Sequence, residues 1–245
     1  MKIFIDPGHG GESPGAVYKG RSEKDDTLRL SRAVRDILIK YKDIEVMLSR
    51  EDDSEPTLLE RTALANRFGA DYFLSVHRNA FSPEKAQGAE IWCFSKIEVG
   101  GKTYNKAKTV LDRLCEKTGF INRGVKLGAP NYDDFAVNKY TDMHSGLLEV
   151  GFIDTSSDNI IFDEKFTEMA AALADALLEA VGYKKEPIPG DVDGDGKITA
   201  SDARSILRGA TGLEEIPAEK GDLDGDGKIT ASDARAALRK SAGLE

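Results

Sequence analysis

The C-terminal end of the chain contains an internal repeat that leaves few folds open to it. Residues 190–214 read GDVDGDGKITASDARSILRGATGLE and residues 221–245 read GDLDGDGKITASDARAALRKSAGLE, with 19 of 25 positions identical. Each copy places aspartates at alternate positions of a glycine-containing loop, ahead of a segment suited to a helix. Because like charges held this close repel one another, such a loop requires a cation. The repeat therefore predicts two cation-binding loops, each followed by a helix.

The loop spacing is typical of a calcium site. Ca²⁺ takes about six to eight oxygen ligands, which alternating carboxylates and a backbone carbonyl at the seventh position can supply. We expect two structural Ca²⁺ ions, which would neutralise the net charge of −4 in residues 190–245, where 8 Lys and Arg stand against 12 Asp and Glu. The predicted ligands are Asp191, Asp193, Asp195, Lys197 and Asp202 in the first loop, and Asp222, Asp224, Asp226, Lys228 and Asp233 in the second.

Both repeats depart from a complete EF-hand. The twelfth loop position is Asp rather than Glu, and no amphipathic helix precedes either loop, so each repeat is a loop followed by a helix at about 201–211 or 232–241. This tandem of two half EF-hands resembles a type I dockerin. The resemblance implies a small all-α calcium-binding domain that docks onto a cohesin domain of a scaffoldin in a secreted multi-enzyme complex. The alternative is a calcium module that only stabilises the C-terminal end.

The dockerin resemblance also implies where the partner would bind. The tenth and eleventh loop positions set cohesin choice in that family, and only half of its usual hydroxyl pair is present here. Arginines on the following helices are further candidates, with solvated helix faces as the alternative. The predicted partner-binding residues are Ala200, Ser201, Arg204, Arg208, Ala231, Ser232, Arg235 and Arg239.

The length and composition leave room for one larger domain before this repeat. The chain has 245 residues, of which 40% are hydrophobic, and no apolar run reaches the roughly 20 residues that span a bilayer. A net charge of −9 argues against a nucleic-acid-binding face, which needs an excess of Lys and Arg. Two prolines in residues 184–189 indicate a linker. We therefore expect one larger domain at 1–183, a linker at 184–189 and the dockerin-like domain at 190–245.

Residues 1–183 alternate short apolar strands with amphipathic helices. This alternation predicts an α/β architecture with a mainly parallel sheet flanked by helices. The predicted strands lie at about 2–6, 44–48, 71–76, 89–94 and 147–150, and the predicted helices at about 23–41, 57–68, 102–117 and 155–181.

Two of the three histidines come at the ends of predicted strands. His9 stands in D-P-G-H-G-G and His77 in S-V-H-R-N-A, so both would meet at the ligand-binding edge of a parallel sheet. Glu23 opens a helix and could face the same edge, and Glu149 ends the last core strand. Two histidines and one glutamate are a catalytic zinc set that leaves a position for water, whose proton a separate carboxylate could take. Structural roles for the histidines are the alternative.

Motifs in a fixed order extend this interpretation. Six motifs follow one another within residues 2–182: D-P-G-H-G-G, P-G-A with E-K beyond it, L-S-R-E-D-D, L-L-E-R-T-A-L-A-N, G-A-D-Y-F-L-S-V-H-R-N-A and L-L-E-V-G-F-I-D. This order resembles the zinc-dependent N-acetylmuramoyl-L-alanine amidases of the type 3 cell-wall family. The resemblance implies a twisted, mostly parallel sheet of about six strands, one catalytic Zn²⁺ held by His9, Glu23 and His77, and Glu149 as the catalytic glutamate. It also implies hydrolysis of the amide bond between N-acetylmuramic acid and L-alanine in peptidoglycan.

Three further residues are candidates for substrate binding. Arg78 replaces the small residue usual in the family, and we expect its cation at the rim of the site, facing a peptide carboxylate. His144 could help to stabilise the oxyanion, or could be structural. Asn79 could bond the stem peptide, or could cap the end of its strand. Arg50 and Arg61 are expected to be structural ion-pair partners that fix loops near the site.

Two other functions remain open for residues 1–183. One is a degenerate module that binds peptidoglycan without cutting it, and the other is the same zinc fold acting on another amide or peptide bond. Met1-Lys2 runs directly into an apolar strand too short for a secretory signal, so either the protein is cytosolic or the signal has been removed or trimmed. Because both resemblances imply work outside the cytoplasm, we expect a secreted or cell-surface monomer.

Overall fold

The structure is a computed structural model that describes residues 1–131, 133–184, 186–194 and 196–244. The chain divides into two compact units, Met1–Tyr183 and Lys184–Glu245. The predicted calcium ligand Asp195 and one residue of the predicted linker, Lys185, lie outside the described residues. Within the described ranges, no helix has both the length and the apolar character needed to cross a membrane.

The first unit is built on a six-stranded sheet. Its strands are β1 (Lys2–Pro7), β4 (Glu45–Leu48), β5 (Tyr72–Asn79), β6 (Ala89–Cys93), β7 (Asn122–Leu127) and β8 (His144–Phe152). They lie in the order β4-β1-β5-β8-β6-β7, and every neighbouring pair is parallel except β6 and β8. Two short strands, β2 (Val17–Tyr18) and β3 (Arg21–Ser22), form a separate antiparallel pair. The predicted mostly parallel sheet of about six strands is confirmed.

Helices cover both faces of this sheet. They are α1 (Glu23–Leu38), α2 (Leu58–Phe68), α3 (Lys102–Thr118), α4 (Ala136–Lys139), α5 (Ser156–Glu164) and α6 (Phe166–Ala180). The larger apolar core joins one face of the sheet to α1, α3 and α6, through residues such as Ile5, Leu111 and Leu173. A smaller core joins the other face to α2 and α4, through Phe73 and Val137.

This unit differs from the sequence prediction in several elements. β7, the short α4 and the pair of β2 and β3 were not predicted. The single helix expected over 155–181 is two helices, because Lys165 between them has φ −104° and ψ 20°, outside the helical region. None of these differences moves the strand ends that carry the candidate site.

The second unit is small and helical. Its helices are α7 (Ala200–Ala210), α8 (Ala218–Gly221) and α9 (Ala231–Ser241). α7 and α9 pack together through Ala203, Ile206, Ala234 and Ala237, which are buried. Each of these two helices begins with a capping box, formed by a threonine and the aspartate three residues later. The all-α loop–helix organisation expected from the repeat is confirmed.

Candidate active site at the carboxyl edge of the sheet

His9, Glu23 and His77 meet at one edge of the sheet, although they are far apart in sequence. Oε2 of Glu23 lies 3.1 Å from Nε2 of His9, and its Oε1 lies 2.9 Å from Nδ1 of His77. One potential ligand atom from each residue falls within 4.8 Å of the others. His9 follows β1, Glu23 is the first residue of α1, and His77 lies on β5. The sequence prediction that these three side chains converge is confirmed, and their ligand role is taken up below.

Glycines allow the three side chains to approach so closely. A Cβ at Gly8 would lie 2.5 Å from Cε1 of His77. A Cβ at Gly15 would lie 2.5 Å from Oε2 of Glu23, and Gly15 also has φ +68°, which favours glycine. Larger residues at either position would push the cluster apart.

Backbone donors hold the Glu23 carboxylate in place. The amide of Ala16 donates to Oε2 at 2.8 Å, and the amide of Arg78 donates to Oε1 at 3.0 Å. Burial alone would raise the pKa of Glu23, but hydrogen bonds and charge interactions with His77 and His9 outweigh burial and hold that pKa well below its ordinary value. The cluster thus presents an ionised carboxylate and two imidazoles, a donor set that fits a divalent metal such as zinc.

Glu149 lies beside this cluster on the neighbouring strand. It is the register partner of His77 between the parallel strands β5 and β8. Its Oε2 is buried and has no hydrogen-bond partner among the described residues. Burial raises the pKa of Glu149 well above its ordinary value, and the nearby charges of Glu23 and Glu90 raise it further. A carboxyl oxygen left without a partner beside a metal-type donor set is placed to exchange protons with a ligand.

Glu90 is a candidate site residue that the sequence reasoning missed. It stands opposite Glu149 across the antiparallel strands β6 and β8. Its Oε1 accepts hydrogen bonds from Nδ2 of Asn79 at 3.0 Å and Nε1 of Trp92 at 3.1 Å, and its Oε2 accepts one from Nε of Arg123 at 2.8 Å. The available sequence signal was a glutamate within the apolar strand segment 89–94. Its place beside Glu149 follows only from the pairing of β6 with β8.

Asn79 is engaged within the protein. Its Nδ2 donates to Glu90, and its Oδ1 accepts the amide of Ala80 at 2.8 Å. The second bond is the strand-end cap that the sequence allowed. A role in binding the stem peptide stays a prediction.

The expected position of Arg78 is wrong. Its side chain is only 2% exposed, and its guanidinium donates to Asp26 and Asn159 and lies 4.2 Å from the ring centre of Phe162. Successive residues of a strand point to opposite faces, so the residue after His77 faces α1 and α5 rather than the site. Burial lowers the pKa of Arg78 to about 10. Arg78 therefore ties the start of α1 to β5 and does not reach the rim.

The substrate-binding role allowed for His144 is wrong, and its position agrees with the structural alternative. It is the first residue of β8, opposite Tyr72, whereas Glu149 lies five residues further along the strand. At about 3.3 Å per residue the two are separated by roughly 16 Å. Nδ1 of His144 lies 2.7 Å from Oγ1 of Thr103 on α3. His144 thus belongs to the opposite edge of the sheet and cannot stabilise an oxyanion at the site.

Arg50 and Arg61 both hold the loop that carries His9. The prediction that they are ion-pair partners holds for Arg61. Arg61 forms a buried ion pair with Asp6 at 2.7 Å and donates to the carbonyl oxygen of His9 at 2.8 Å. Arg50 acts differently, because it donates to carbonyl oxygens, including that of Gly8 at 2.9 Å. Burial raises the pKa of Asp6, but the charge of Arg61 and bonds from Ser49, Ser75 and Arg61 outweigh it and hold the pKa below its ordinary value.

A cavity of about 450 Å³ opens beside His9 and His77. It lies against the face of the sheet that α2 and α4 cover. Its apolar lining consists of Pro56, Leu58, Phe135, Ala136, Val137 and Leu147, and its polar lining of Asp6, Ser13, Glu55, Thr57 and Arg61, with Gly8 and the two histidines completing it. A mostly apolar cleft with a few polar groups next to a donor cluster is typical of a substrate site.

The repeated loops of the second unit gather aspartates as predicted. Ligand-type oxygens of Asp191, Asp193 and Asp202 lie within 4.8 Å of one another, and so do those of Asp222, Asp224 and Asp226. The final aspartates bind their own loops: Asp202 accepts the amides of Val192 and Thr199, and Asp233 accepts those of Leu223 and Thr230. Lys197 and Lys228 occupy the seventh position of each loop. Both loops are thus shaped for a cation, whose binding stays a prediction.

The residues predicted to meet a partner are all at the surface of this unit. Ala200, Ser201, Arg204 and Arg208 on α7 are exposed, and so are Ala231, Ser232, Arg235 and Arg239 on α9. The two sets occupy equivalent positions in the two repeats, 31 residues apart. Their role in partner binding stays a prediction.

Known proteins match both units. A family model described as N-acetylmuramoyl-L-alanine amidase matches residues 3–180, and one described as Dockerin type I domain matches residues 189–239. The sporulation-specific N-acetylmuramoyl-L-alanine amidase of Bacillus subtilis is 37% identical over 188 residues, covering 76% of this chain and 70% of the relative. The N-acetylmuramoyl-L-alanine amidase CwlM of Bacillus licheniformis is 38% identical over 159 residues, covering 64% of this chain and 59% of its own length.

A solved structure agrees with these matches. The crystal structure of N-acetylmuramoyl-L-alanine amidase from Clostridium difficile 630 superposes with a TM-score of 0.68 and 33% identity, covering 75% of this chain and 98% of that protein. Both resemblances drawn from the sequence are confirmed. The chain belongs to the N-acetylmuramoyl-L-alanine amidase family and carries a type I dockerin domain behind its amidase region.

Proposed function

We propose that residues 1–183 form a zinc-dependent hydrolase that cleaves the amide bond between N-acetylmuramic acid and L-alanine of peptidoglycan. The observation that supports it best is the unpartnered Oε2 of Glu149 beside the cluster of His9, Glu23 and His77. The complete set of four residues favours catalysis over binding alone. Family membership supports this particular amide over other amide or peptide bonds.

His9, Glu23 and His77 would hold the zinc ion. Two imidazoles and one carboxylate leave a coordination position open, as in catalytic zinc sites. When bound, zinc supplies a Lewis acid that polarises a carbonyl group and makes water a better nucleophile. The backbone donors to Glu23 fix the direction of its carboxylate, and Arg61 fixes the loop of His9, so the three ligands are held ready.

Glu149 would move the proton. Its Oε2 takes a proton from water as the water oxygen bonds to the carbonyl carbon, and then gives it to the nitrogen of L-alanine as the carbon–nitrogen bond breaks. Burial raises the pKa of Glu149 well above its ordinary value, so its carboxylate is a stronger base than an exposed one and holds the proton it must later deliver. The products are a glycan strand with a free lactyl carboxylate and a stem peptide with a free amino group.

The second unit would attach this enzyme to a scaffold. We propose that residues 190–245, behind a linker at 184–189, bind two Ca²⁺ ions and dock onto a cohesin domain. The two aspartate clusters and the exposed equivalent positions on α7 and α9 support this proposal. It implies a protein that works outside the cytoplasm, secreted or at the cell surface, and that is a monomer apart from its scaffold.

The three histidines of the chain allow a matched test. His77→Ala should lose both bound zinc and peptidoglycan cleavage, whereas Glu149→Gln should lose cleavage and keep its zinc. His144→Ala, which removes a histidine from the opposite edge of the sheet, should keep both. Full cleavage by Glu149→Gln, or zinc content unchanged in His77→Ala, would contradict the proposal.

A further inference from the structure

The cavity beside the metal-type cluster contains an exposed apolar wall. Leu58 in the first turn of α2 is 55% exposed, and Phe135, which precedes α4, is partly exposed. Both line the cavity together with the floor residue Leu147. An apolar wall left open to water next to reactive groups gains free energy when a ligand covers it.

This cavity offers nothing to a negatively charged ligand. Apart from the two histidines, Arg61 is its one cation among the described lining residues. Arg61 is only 4% exposed and is engaged by Asp6 and by the carbonyl oxygens of Pro56, Pro7 and His9. The Glu55 side chain adds an exposed carboxylate to the lining. The cavity therefore suits an uncharged ligand with apolar faces and hydroxyl groups.

The other end of the site differs, because it carries cations that reach the surface. In the strand order, β1 lies on one side of β5 and β8, and β6 and β7 lie on the other. Arg123 on β7 pairs with Glu90 at 2.8 Å, but its side chain is 37% exposed, so a ligand can reach it. Lys126 stands beside Trp92 in the register of β6 and β7. This side is the cationic end of the same site.

The two halves of the substrate differ in the same way. The glycan strand carries no charge at the sugar rings, whereas the stem peptide carries free carboxylates. Resting on the proposed amidase function, we propose that the cavity of Leu58 and Phe135 binds the N-acetylmuramic acid side of the substrate and that the stem peptide extends toward Arg123 and Lys126. The geometry thereby fixes the direction in which peptidoglycan crosses the metal cluster.

The single tryptophan of the chain provides a reporter that is independent of cleavage. The ring of Trp92 lies 5.9 Å from that of Phe135 on the cavity side, and its Nε1 bonds Glu90 on the cationic side. Ligands at either end should therefore change its fluorescence. Two probes are titrated into the full-length zinc-loaded protein: the disaccharide of N-acetylglucosamine and N-acetylmuramic acid, its lactyl carboxyl capped as a methyl amide, and the free stem peptide.

Matched variants then separate the two ends. Leu58→Ser should weaken disaccharide binding about tenfold, the loss expected for roughly 1.4 kcal/mol of apolar contact, and leave peptide binding unchanged. Leu59→Ser is the control, since Leu59 is 65% exposed on the same turn but does not line the cavity. Arg123→Gln should weaken the peptide and spare the disaccharide.

The reverse pattern, or equal effects of the two leucine variants, would overturn the proposed direction. Wild-type protein that binds the disaccharide in a Leu58-dependent way and yet cleaves no peptidoglycan would support the direction and overturn the proposed function. The two proposals therefore fail by different results.

Discussion

Glu149 and Glu90 stand directly opposite each other across the antiparallel strands β8 and β6. Oε2 of Glu149 has no partner among the described residues, whereas Glu90 accepts three hydrogen bonds, from Asn79, Trp92 and Arg123. One carboxyl group of the pair is therefore fixed, and the other is left to exchange a proton. This difference assigns the two glutamates different roles.

Glu90→Gln should change the pH dependence of cleavage. After burial and Glu23, the charge of Glu90 raises the pKa of Glu149, so its removal should lower that pKa. The acidic limb of the pH profile of kcat/KM should then move to lower pH. Trp92→Phe is the control, because it removes one hydrogen bond to Glu90 but no charge. A limb that stays in place in Glu90→Gln, or moves in both variants, would rule out this charge effect.

Arg78→Met should weaken zinc binding at the proposed site, although the Arg78 side chain is not one of the proposed ligands. Arg78 bonds Asp26 in the first turn of α1, and its amide bonds Glu23, so loss of its guanidinium loosens the helix start that presents Glu23. Loss of such an outer partner typically costs about 10- to 100-fold in metal affinity. Zinc release to a chromophoric chelator measures it.

Arg29→Met is the matched control for Arg78. Arg29 also lies over the Phe162 ring, at 5.4 Å, but pairs with Asp163 on the surface. It should release zinc at the wild-type rate. Equal release from Arg78→Met and wild-type protein would show that Arg78 serves stability alone.

The buried pair of Asp6 and Arg61 should make stability depend on pH. The pKa of Asp6 is lowered in the folded protein, so its contribution is complete above the unfolded value of about 3.9 and is lost as the pH falls through that value toward the lower folded one. As the pH falls below about 4, the unfolding free energy of Asp6→Asn should therefore decrease less steeply than that of the wild-type protein. Denaturant titrations at several pH values measure this difference, and parallel curves would contradict it.

Arg61→Met should be more damaging than loss of a surface ion pair. It leaves the Asp6 carboxylate buried without its cation, which costs about 3–5 kcal/mol. Lys108→Met, which breaks an exposed pair with Asp112 on α3, should cost much less, because water screens the charges of an exposed pair. Similar losses in the two variants would show that the Asp6 site relaxes or fills with water.

Removal of calcium should unfold the second unit selectively. The aspartates of each loop would then repel one another, and only the capping boxes would hold the starts of α7 and α9. Circular dichroism should lose the signal of these helices on chelation. A chelator also removes zinc, so each ion is then added back alone. Calcium should restore the helical signal of the second unit, and zinc should restore cleavage without that signal. A helical signal indifferent to calcium would contradict the calcium assignment.

The convergence of His9, Glu23 and His77 could be predicted from the sequence, because strand ends and the starts of helices meet at one edge of a parallel α/β sheet. Their role as metal ligands stays a prediction. Arg78 was misplaced because the alternation of side chains along β5 decides which face of the sheet a residue points to. His144 was misplaced because its distance from the site depends on the residue at which β8 begins. Glu90 was missed because β6 runs antiparallel beside β8, a pairing that local sequence patterns do not reveal.

Mass spectrometry of digested peptidoglycan tests the central claim most directly. The account predicts stem peptides with a free N-terminal alanine and glycan strands with free lactyl carboxylates, released by wild-type protein and not by Glu149→Gln. Peptides cut at an internal bond, new reducing sugar ends, or the same products from Glu149→Gln would contradict it.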